Sequence, residues 1–497
     1  MKKYSKLIIS LLVLCVFLSA CGGASNDETK ATAPEKHILD FKEEYNEGDH
    51  LDDEYYQLLD FYNMESSGSL LMIPHFETYQ QHLSYGCGPS AAYMVLNYLD
   101  KEKAANYNED KIAEICGSVS GPGTSAGQIA EFFEKEIGWD CIYHMSHAKE
   151  FADYSSFIDS LVKWNLEDGK PIIVDWNIGG GHWTVIIGFD DMGTATTSDD
   201  VLIFADSSDN ADNYRDGYNV YSAVRFFRQW KEFNAFDGEK VYQQQYIVVD
   251  KALEQKSGAS GSANTKEVKA FAPEKHVLNA DTTEEFGAGD HPDSKYFKIN
   301  DYYNMQSTDT RLMIPHFETY QQHLSYGCGP SSAYMVLNYF DKEKAANYSE
   351  DKIAEICGST GGGVGTSAGQ LADFFKNELG WEVDYHMDHN KIFASYDQFV
   401  DVLVKWNLEE GKPIMVDWSV SSGHWTVIIG FDDRGTKTNI DDVIIFADPS
   451  DAYNHYQDGY NVFSARRFYG MWRESTAFDG VKPYAHQYLV VTPPEKK

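Results

Sequence analysis

An internal repeat constrains this chain more than any other feature of its sequence. The twenty-residue segment LMIPHFETYQQHLSYGCGPS covers residues 71–90 and occurs again, without a difference, at residues 312–331. The shorter segment APEKH lies upstream of each copy, at residues 33–37 and 272–276. The interval between the copies is far longer than the roughly 20–50 residues of a solenoid repeat. We therefore expect two complete domains, each with its own core.

The first residues of the chain have the pattern of an export signal. Basic residues at positions 2, 3 and 6 precede an apolar run that is too short to cross a bilayer as a stable helix. The motif LSAC, which ends at Cys21, resembles the lipobox of bacterial lipoproteins, in which the cysteine carries the lipid. We expect residues 1–20 to be a lipoprotein signal peptide, with an ordinary secretory signal cut after Ala20 as the alternative. Both patterns predict an exported protein, and the lipobox predicts a membrane lipoprotein that faces the extracellular side.

Polar segments of small residues set the predicted domain boundaries. Residues 21–36 would comprise the lipidated cysteine and a flexible tether, and residues 253–272 a linker rich in glycine and serine. The two domains are therefore predicted at residues 37–252 and 273–494. The formal net charge of -36 argues against nucleic acid as a partner of either domain.

Helical patterns come first in each copy, and strand patterns follow. In the first copy, helices are predicted over residues 89–98, 109–116, 124–137 and 155–166. Gly117 ends the second of these, and hydroxyl residues begin the last two. Short β-branched stretches predict strands over residues 171–176, 183–189, 201–205 and 246–249. This order predicts an α+β fold in which a cysteine-bearing helix packs on a mostly antiparallel sheet.

Each copy carries a cysteine between two glycines, directly before a predicted helix. Unpaired N–H groups and the helix dipole stabilise a thiolate at such a position, here Cys87 and its counterpart Cys328. Neighbouring glycines would let the backbone of a substrate approach the sulfur. Six residues upstream, Gln81 and Gln322 offer side-chain amides that suit an oxyanion donor.

A nucleophilic cysteine needs a base, and the base needs an orienting partner. His182 and His424 each begin a predicted strand, and Asp206 and Asp448 each end the next one. Asp190 and Asp191, with their counterparts in the second copy, compete for the orienting role or are turn residues after the strand. A packed core histidine is the alternative for His182.

This order of glutamine, cysteine, histidine and aspartate resembles that of the papain-like cysteine peptidases. It is most similar to the double-glycine leader peptidase group and its stand-alone relatives. The resemblance implies a papain-like fold and the roles of oxyanion donor, nucleophile, base and orienter for Gln81, Cys87, His182 and Asp206. In the second copy it implies the same roles for Gln322, Cys328, His424 and Asp448.

The sequence departs from that group in two respects. Asp206 is followed by serine, whereas the group usually has Asp-Pro, as the second copy does. The chain also has no ATPase motif and no bundle of membrane spans, so the role in leader-peptide export is not implied.

Other reactive residues have alternative interpretations. Cys116 and Cys357 are matched between the copies and would form disulfides with Cys87 and Cys328, or else be small buried residues. Cys141 has no counterpart and is predicted to lie in the core. The spacing of His144 and His147 would suit half a zinc site, but no second ligand pair lies at ligand spacing. The aspartates of the 209–216 loop miss the calcium-loop pattern, so we expect no metal and no cofactor.

The sequence therefore predicts a membrane-anchored cysteine peptidase with two tandem catalytic domains. Its predicted partners are a peptide or protein substrate and the membrane, which it reaches through the lipid on Cys21. A cell-wall amidase or an acyltransferase would use the same residues. A bivalent lipoprotein that binds without catalysis is the alternative outside the enzymes.

Overall fold

Two domains of the same architecture make up the structure, which is a computed structural model. It describes residues 34–40, 54–120, 123–176, 181–209, 214–231, 241–251, 273–279, 295–360, 365–418, 423–451, 456–472 and 484–494. The predicted signal peptide, Cys21 and the 253–272 linker lie outside these ranges. Within them, none of the helices combines the length and the apolar character that a membrane-crossing segment requires.

The helices of the first domain surround one sheet. They are α1 (Cys87–Leu99), α2 (Lys101–Ala104), α3 (Glu109–Cys116), α4 (Ala126–Glu131), α5 (Tyr154–Phe157), α6 (Trp164–Glu167) and α7 (Ala223–Gln229). Two π-helical stretches, Phe132–Ile137 and Ile158–Lys163, continue α4 and α5. The strands are β1 (Ile38–Leu39), β2 (Leu70–Met72), β3 (Thr78–Tyr79), β4 (Asp140–Ser146), β5 (Ile172–Trp176), β6 (His182–Asp190), β7 (Val201–Ala205), β8 (Tyr218–Ser222) and β9 (Gln243–Asp250).

The second domain repeats these elements. Its helices are α8 (Cys328–Phe340), α9 (Lys342–Ala345), α10 (Glu350–Cys357), α11 (Ala368–Asp373), α12 (Tyr396–Phe399), α13 (Trp406–Glu409) and α14 (Ala465–Met471). The π-helical stretches are Phe374–Glu378 and Val400–Lys405. Its strands are β10 (Arg311–Met313), β11 (Glu382–Asp388), β12 (Ile414–Trp418), β13 (His424–Asp432), β14 (Val443–Ala447), β15 (Tyr460–Ser464) and β16 (Ala485–Thr492).

Each main sheet is antiparallel throughout its described pairs. The strand order is β4-β9-β5-β6-β7-β8 in the first domain, with β2 paired to the far end of β6. The second domain has the order β11-β16-β12-β13-β14-β15, with β10 paired to β13. Strands β5 and β7 are buried along their whole length, which explains why their sequences do not alternate between apolar and polar residues. The predicted α+β fold is confirmed.

Local sequence signals account for most helix ends. Gly117 ends α3 in the left-handed region with φ 65°, as predicted. Ser125 begins α4 with a reciprocal capping box to Gln128. The cap predicted at Ser155-Ser156 is wrong, because Asp153 caps α5 by accepting the backbone N–H of Ser156, and the helix begins at Tyr154. The strands β4 and β8 were not predicted, since neither has a long β-branched run.

The segments that precede the repeats cross between the domains. Tyr55 and its neighbours Tyr56 and Leu58 pack in the core of the second domain, and Tyr296 packs in the core of the first. The Tyr55 hydroxyl donates to Asp432 at 2.7 Å, and the Tyr296 hydroxyl donates to Asp190 at 2.7 Å. Because equivalent groups make equivalent contacts, the two domains associate like the subunits of a two-fold symmetric dimer.

Candidate active site

The nucleophile candidate occupies the start of a buried helix. Helix α1 begins at Cys87, and Gly86 before it supplies no side-chain cap. The N–H groups of the first turn are therefore not used by a capping side chain. Such a helix start stabilises a thiolate and an adjacent oxyanion. Helix α8 begins at Cys328 in the same way.

The glycines around the cysteine make room for packing, whereas the sequence suggested that they give access to substrate. A Cβ on Gly86 would lie 1.8 Å from Oε1 of Glu109, and one on Gly88 would lie 2.9 Å from Cβ of Thr124. Both glycines thus accommodate packing behind the cysteine, and their absent side chains are not explained by access of substrate. The counterparts in the second copy have the same contacts.

Glu109 holds the loop that precedes the cysteine, and sequence reasoning missed it. This fully buried carboxylate accepts the backbone N–H groups of His82 at 2.9 Å and Leu83 at 3.0 Å. Burial raises the pKa of Glu109, although these bonds and His82 oppose the shift. Glu350 occupies the same position in the second copy and makes the equivalent bonds, and this repetition was the available signal. An acidic residue at a helix start alone indicates only a favourable charge near the helix dipole.

The base and orienter candidates are in contact. Nε2 of His182 lies 2.7 Å from Oδ1 of Asp206, and Cys87 interacts with the same imidazole and raises its pKa. Because Nε2 faces the aspartate, Nδ1 is the nitrogen left for the sulfur. His424 and Asp448 are also 2.7 Å apart. The structure thus brings together residues that the sequence placed on three different elements.

The electrostatic environment of His182 favours its protonated form, the imidazolium. Burial lowers the pKa of His182, but the Asp206 carboxylate and Cys87 outweigh it, and the pKa rises well above its ordinary value. In the second domain the same balance raises the pKa of His424 to about 10. A protonated imidazole next to the sulfur stabilises the thiolate form.

The competing carboxylates lie elsewhere. Asp190 is the last residue of β6, at the opposite end of the strand from His182, and it binds Tyr296 and Lys295. Asp191 accepts the backbone N–H of Gly193 in the turn that follows. Neither is placed to orient the imidazole.

Gln81 lies beside the aspartate loop. Its backbone N–H donates to the carbonyl of Ser207 at 2.9 Å, and the Ser207 hydroxyl donates to its Oε1 at 2.8 Å. Its Nε2 donates to the carbonyl of Leu83 at 3.0 Å, which leaves one amide hydrogen for a substrate. In the second copy Gln322 makes the matching bond to Leu324 at 3.0 Å.

A second buried carboxylate supports the histidine from its own sheet. Gln245 on β9 donates to Asp175 on β5 at 2.8 Å, and the charge and backbone N–H of His182 act to lower the pKa of this carboxyl. Burial raises the pKa of Asp175 to about 7. Sequence reasoning missed this residue, although an aspartate inside the apolar run PIIVDW was a usable signal.

The other matched cysteines, and the two histidines with zinc-like spacing, are separate from this site. Cys87, Cys116, Cys141, Cys328 and Cys357 are free thiols. Burial raises the pKa of Cys116 and of Cys357 to about 12, as for a small core residue. His144 pairs with Glu150, and His147 stacks on Tyr242. In the described ranges no three side chains of metal-binding type converge on one point.

Comparison with known families is consistent with this geometry. A model of the "Peptidase_C39 like family" matches residues 73–236 and again residues 313–477, which together exceed half of the chain. The chain belongs to the Peptidase_C39-like family. Each Peptidase_C39-like region contains the cysteine, histidine and aspartate of one copy.

Other comparisons add little. No curated protein sequence matches the chain at a significant level. A solved structure titled "Crystal structure of UfSP from C.elegans" is similar with a TM-score of 0.26 and 15% identity, over 40% of this chain and 37% of that chain. A likeness this slight carries no argument about function.

Proposed function

We propose that each domain is a cysteine peptidase that hydrolyses peptide bonds by Cys-His-Asp catalysis. The observation that carries the proposal is the imidazole held between a carboxylate at 2.7 Å and a thiol at a helix start, in both domains. Cys87 and Cys328 are the nucleophiles, His182 and His424 the bases. Asp206 and Asp448 are the orienting residues.

The reaction follows from this arrangement. The Cys87 thiolate attacks the carbonyl carbon of the substrate, and a carbon–sulfur bond forms. The negative charge moves to the carbonyl oxygen, where the backbone N–H of Cys87 and the free amide hydrogen of Gln81 receive it. The imidazolium of His182 gives its proton to the amine as the carbon–nitrogen bond breaks. Water, deprotonated by the same imidazole, then cleaves the thioester and releases the carboxylic acid and the thiolate.

The location of this activity is also part of the proposal. The lipobox-like motif at Cys21 supports a lipid-anchored protein on the extracellular side of the membrane. Incorporation of a radiolabelled fatty acid into the wild-type chain, and its absence in Cys21→Ser, is the expected result. Equal labelling of both chains would remove the anchor from the proposal.

The direct test is a short iodoacetamide pulse at about pH 6 on the mature full-length protein, read by peptide mass mapping. An ordinary thiol is almost fully protonated at that pH, so only an activated one reacts fast. We expect fast labelling of Cys87 and Cys328, with Cys116 and Cys357 as buried internal controls. His182→Ala should abolish the fast reaction at Cys87 alone.

The products then separate the alternatives. Incubation with a library of unstructured peptides should give new termini at peptide bonds. Release of fragments from peptidoglycan only would indicate an amidase, and transfer to an added amine would indicate an acyltransferase. Slow labelling of both cysteines would contradict catalysis and leave a bivalent binding protein.

A further inference from the structure

Two arginines are buried where the domains meet. Arg225 on α7 and Arg467 on α14 are each 1% exposed. Each guanidinium lies over an aromatic ring of its own domain, 5.3 Å from the centre of Tyr221 and 5.0 Å from the centre of Phe463. Burial of a guanidinium is costly unless acceptors receive its hydrogens.

One acceptor of each guanidinium belongs to the other domain. Nη2 of Arg225 donates to the backbone carbonyl of Asp451, and Nη2 of Arg467 donates to the backbone carbonyl of Asp209. The exchange is reciprocal, so each domain gives one arginine and receives one.

The residue that accepts each bond is part of the loop that carries the orienting aspartate. The backbone N–H of Ser208 donates to the carboxylate of Asp206 at 2.8 Å, and the backbone N–H of Asp209 helps to lower the pKa of that carboxyl. Oδ2 of Asp209 accepts the backbone N–H of Gly217 at 2.8 Å, and the carbonyl of Gly217 accepts the N–H of Asp206 at 2.8 Å. One residue, Asp209, therefore joins the arginine of the other domain to the carboxylate that contacts His182.

The backbone of this residue needs such support. Asp209 has φ 43° and Asp451 has φ 40°, a left-handed conformation that is unfavourable for a residue with a side chain. The carboxylates of both residues are buried, and burial raises the pKa of each to about 7. Arg467 opposes the shift at Asp209, with a smaller contribution from Arg215 of the same domain.

We propose that each catalytic centre is completed by the other domain. Arg225 is a positioning residue for the Asp448 loop, and Arg467 is a positioning residue for the Asp206 loop. This inference rests on the proposed Cys-His-Asp function and adds to it that neither domain forms its full site alone.

Per-site alkylation tests the crossed dependence. In full-length Arg225→Met we expect labelling of Cys328 at about pH 6 to slow by about tenfold, the effect of one lost hydrogen bond from a charged donor, while Cys87 keeps its rate. The pH profile of Cys328 should move toward that of an ordinary thiol. Arg467→Met should show the reverse, with Cys87 slowed and Cys328 unchanged.

Two further variants separate positioning from a general loss of structure. Arg228→Met changes an exposed arginine on the same helix and should leave both cysteines at their wild-type rates. Arg225→Lys keeps the charge and one donor, so it should restore part of the rate at Cys328. Equal slowing of both cysteines, or slowing of the cysteine in the mutated domain, would overturn the proposal.

Hydrogen exchange separates this inference from the proposed function. The amides of residues 448–451 should exchange faster in Arg225→Met than in Arg228→Met, whether or not the cysteines are reactive. Unchanged exchange there would overturn the crossed support while leaving the peptidase proposal intact. Slow labelling of both cysteines in the wild-type protein would contradict the peptidase proposal and, with it, the catalytic meaning of the arginines.

Discussion

The histidine–aspartate contact decides the charge state of each site. Asp448 is fully buried and its pKa is lowered, because His424 and backbone N–H groups outweigh the effect of burial. The pKa of His424 is raised and the pKa of Asp448 is lowered. At pH values between these two pKa values, the stable forms are therefore an imidazolium and a carboxylate.

Replacement of the proposed orienting carboxylate in one domain should slow the cysteine of that domain and leave the other cysteine unchanged. Asp206→Asn keeps the shape of the side chain but removes the charge that stabilises the imidazolium of His182. We expect alkylation of Cys87 at about pH 6 to slow by at least about tenfold, which corresponds to one pKa unit. Cys328 in the same molecule is the control. An unchanged rate at Cys87 would show that Asp206 does not orient the base.

The stability of the protein should fall in alkaline solution through His424. Its pKa in the folded protein, about 10, lies above the ordinary value of about 6.5. The stabilisation from its proton is therefore complete below about pH 6.5 and is lost as the pH rises through about 10. The measurement is the free energy of unfolding in urea at pH 7 and pH 10.

Variants identify the source of that loss. In Asp448→Asn the decrease between the two pH values should be smaller than in the wild type. Asp309→Asn, which changes an exposed aspartate, should keep the full decrease. Identical decreases in all three proteins would mean that His424 is not protonated in the folded state at neutral pH.

At the scale of elements, the start of α1 depends on a carboxylate from α3. Glu109 fills the space next to Gly86 and fixes the backbone of residues 82–83. The cysteine is thus positioned by packing between two helices and a loop, which a helix-start signal in the sequence does not describe.

Addition of one methyl group should disrupt this packing. In Gly86→Ala the new Cβ would lie 1.8 Å from Oε1 of Glu109, so the carboxylate must leave its two backbone partners. We expect a loss of about 1–3 kcal/mol in the free energy of unfolding. Gly127→Ala is the matched control, because its nearest new neighbour is Sδ of Met145 at 3.7 Å and alanine favours the helix. Equal urea midpoints for the two variants would contradict this account.

The elements were more predictable than the contacts between them. Helix α3, strand β7 and the hydroxyl cap at Ser125 were predicted from local patterns, and the structure confirms them. The proximity of His182 to Asp206 was anticipated from strand order, whereas their roles stay predictions. Tyr55 and Asp432 are 377 positions apart, and no periodicity or spacing indicates such a contact. The available signal was that the tyrosine and the aspartate of this contact occur at equivalent positions in both copies.

At the scale of the whole molecule, the two domains exchange contacts reciprocally. The segments at Tyr55 and Tyr296 cross, and so do the bonds from Arg225 and Arg467. The described contacts of Tyr55 and Tyr296 lie at the end of β13 and β6 that is opposite the histidine.

Cleavage of the linker should therefore not separate the domains. A specific protease site inserted within residues 253–272 would cut the chain without removing a described contact. We expect the two fragments to elute together in gel filtration, because apolar burial and paired polar groups hold them. With Tyr55→Ala and Tyr296→Ala combined, the cut fragments should elute separately. Separation of the wild-type fragments would contradict the crossed arrangement.

The crossed arginines also determine when each site can be completed during synthesis of the chain. Asp209 is synthesised 258 positions before Arg467, the residue that supports its loop. At translation rates of roughly 5–20 residues per second, this delay is on the order of 10–50 s. During that interval the first centre, if it depends on Arg467, has its cysteine and histidine but not its braced aspartate. A peptidase whose sites are completed in the proposed way would therefore stay inactive until the end of the chain has been synthesised.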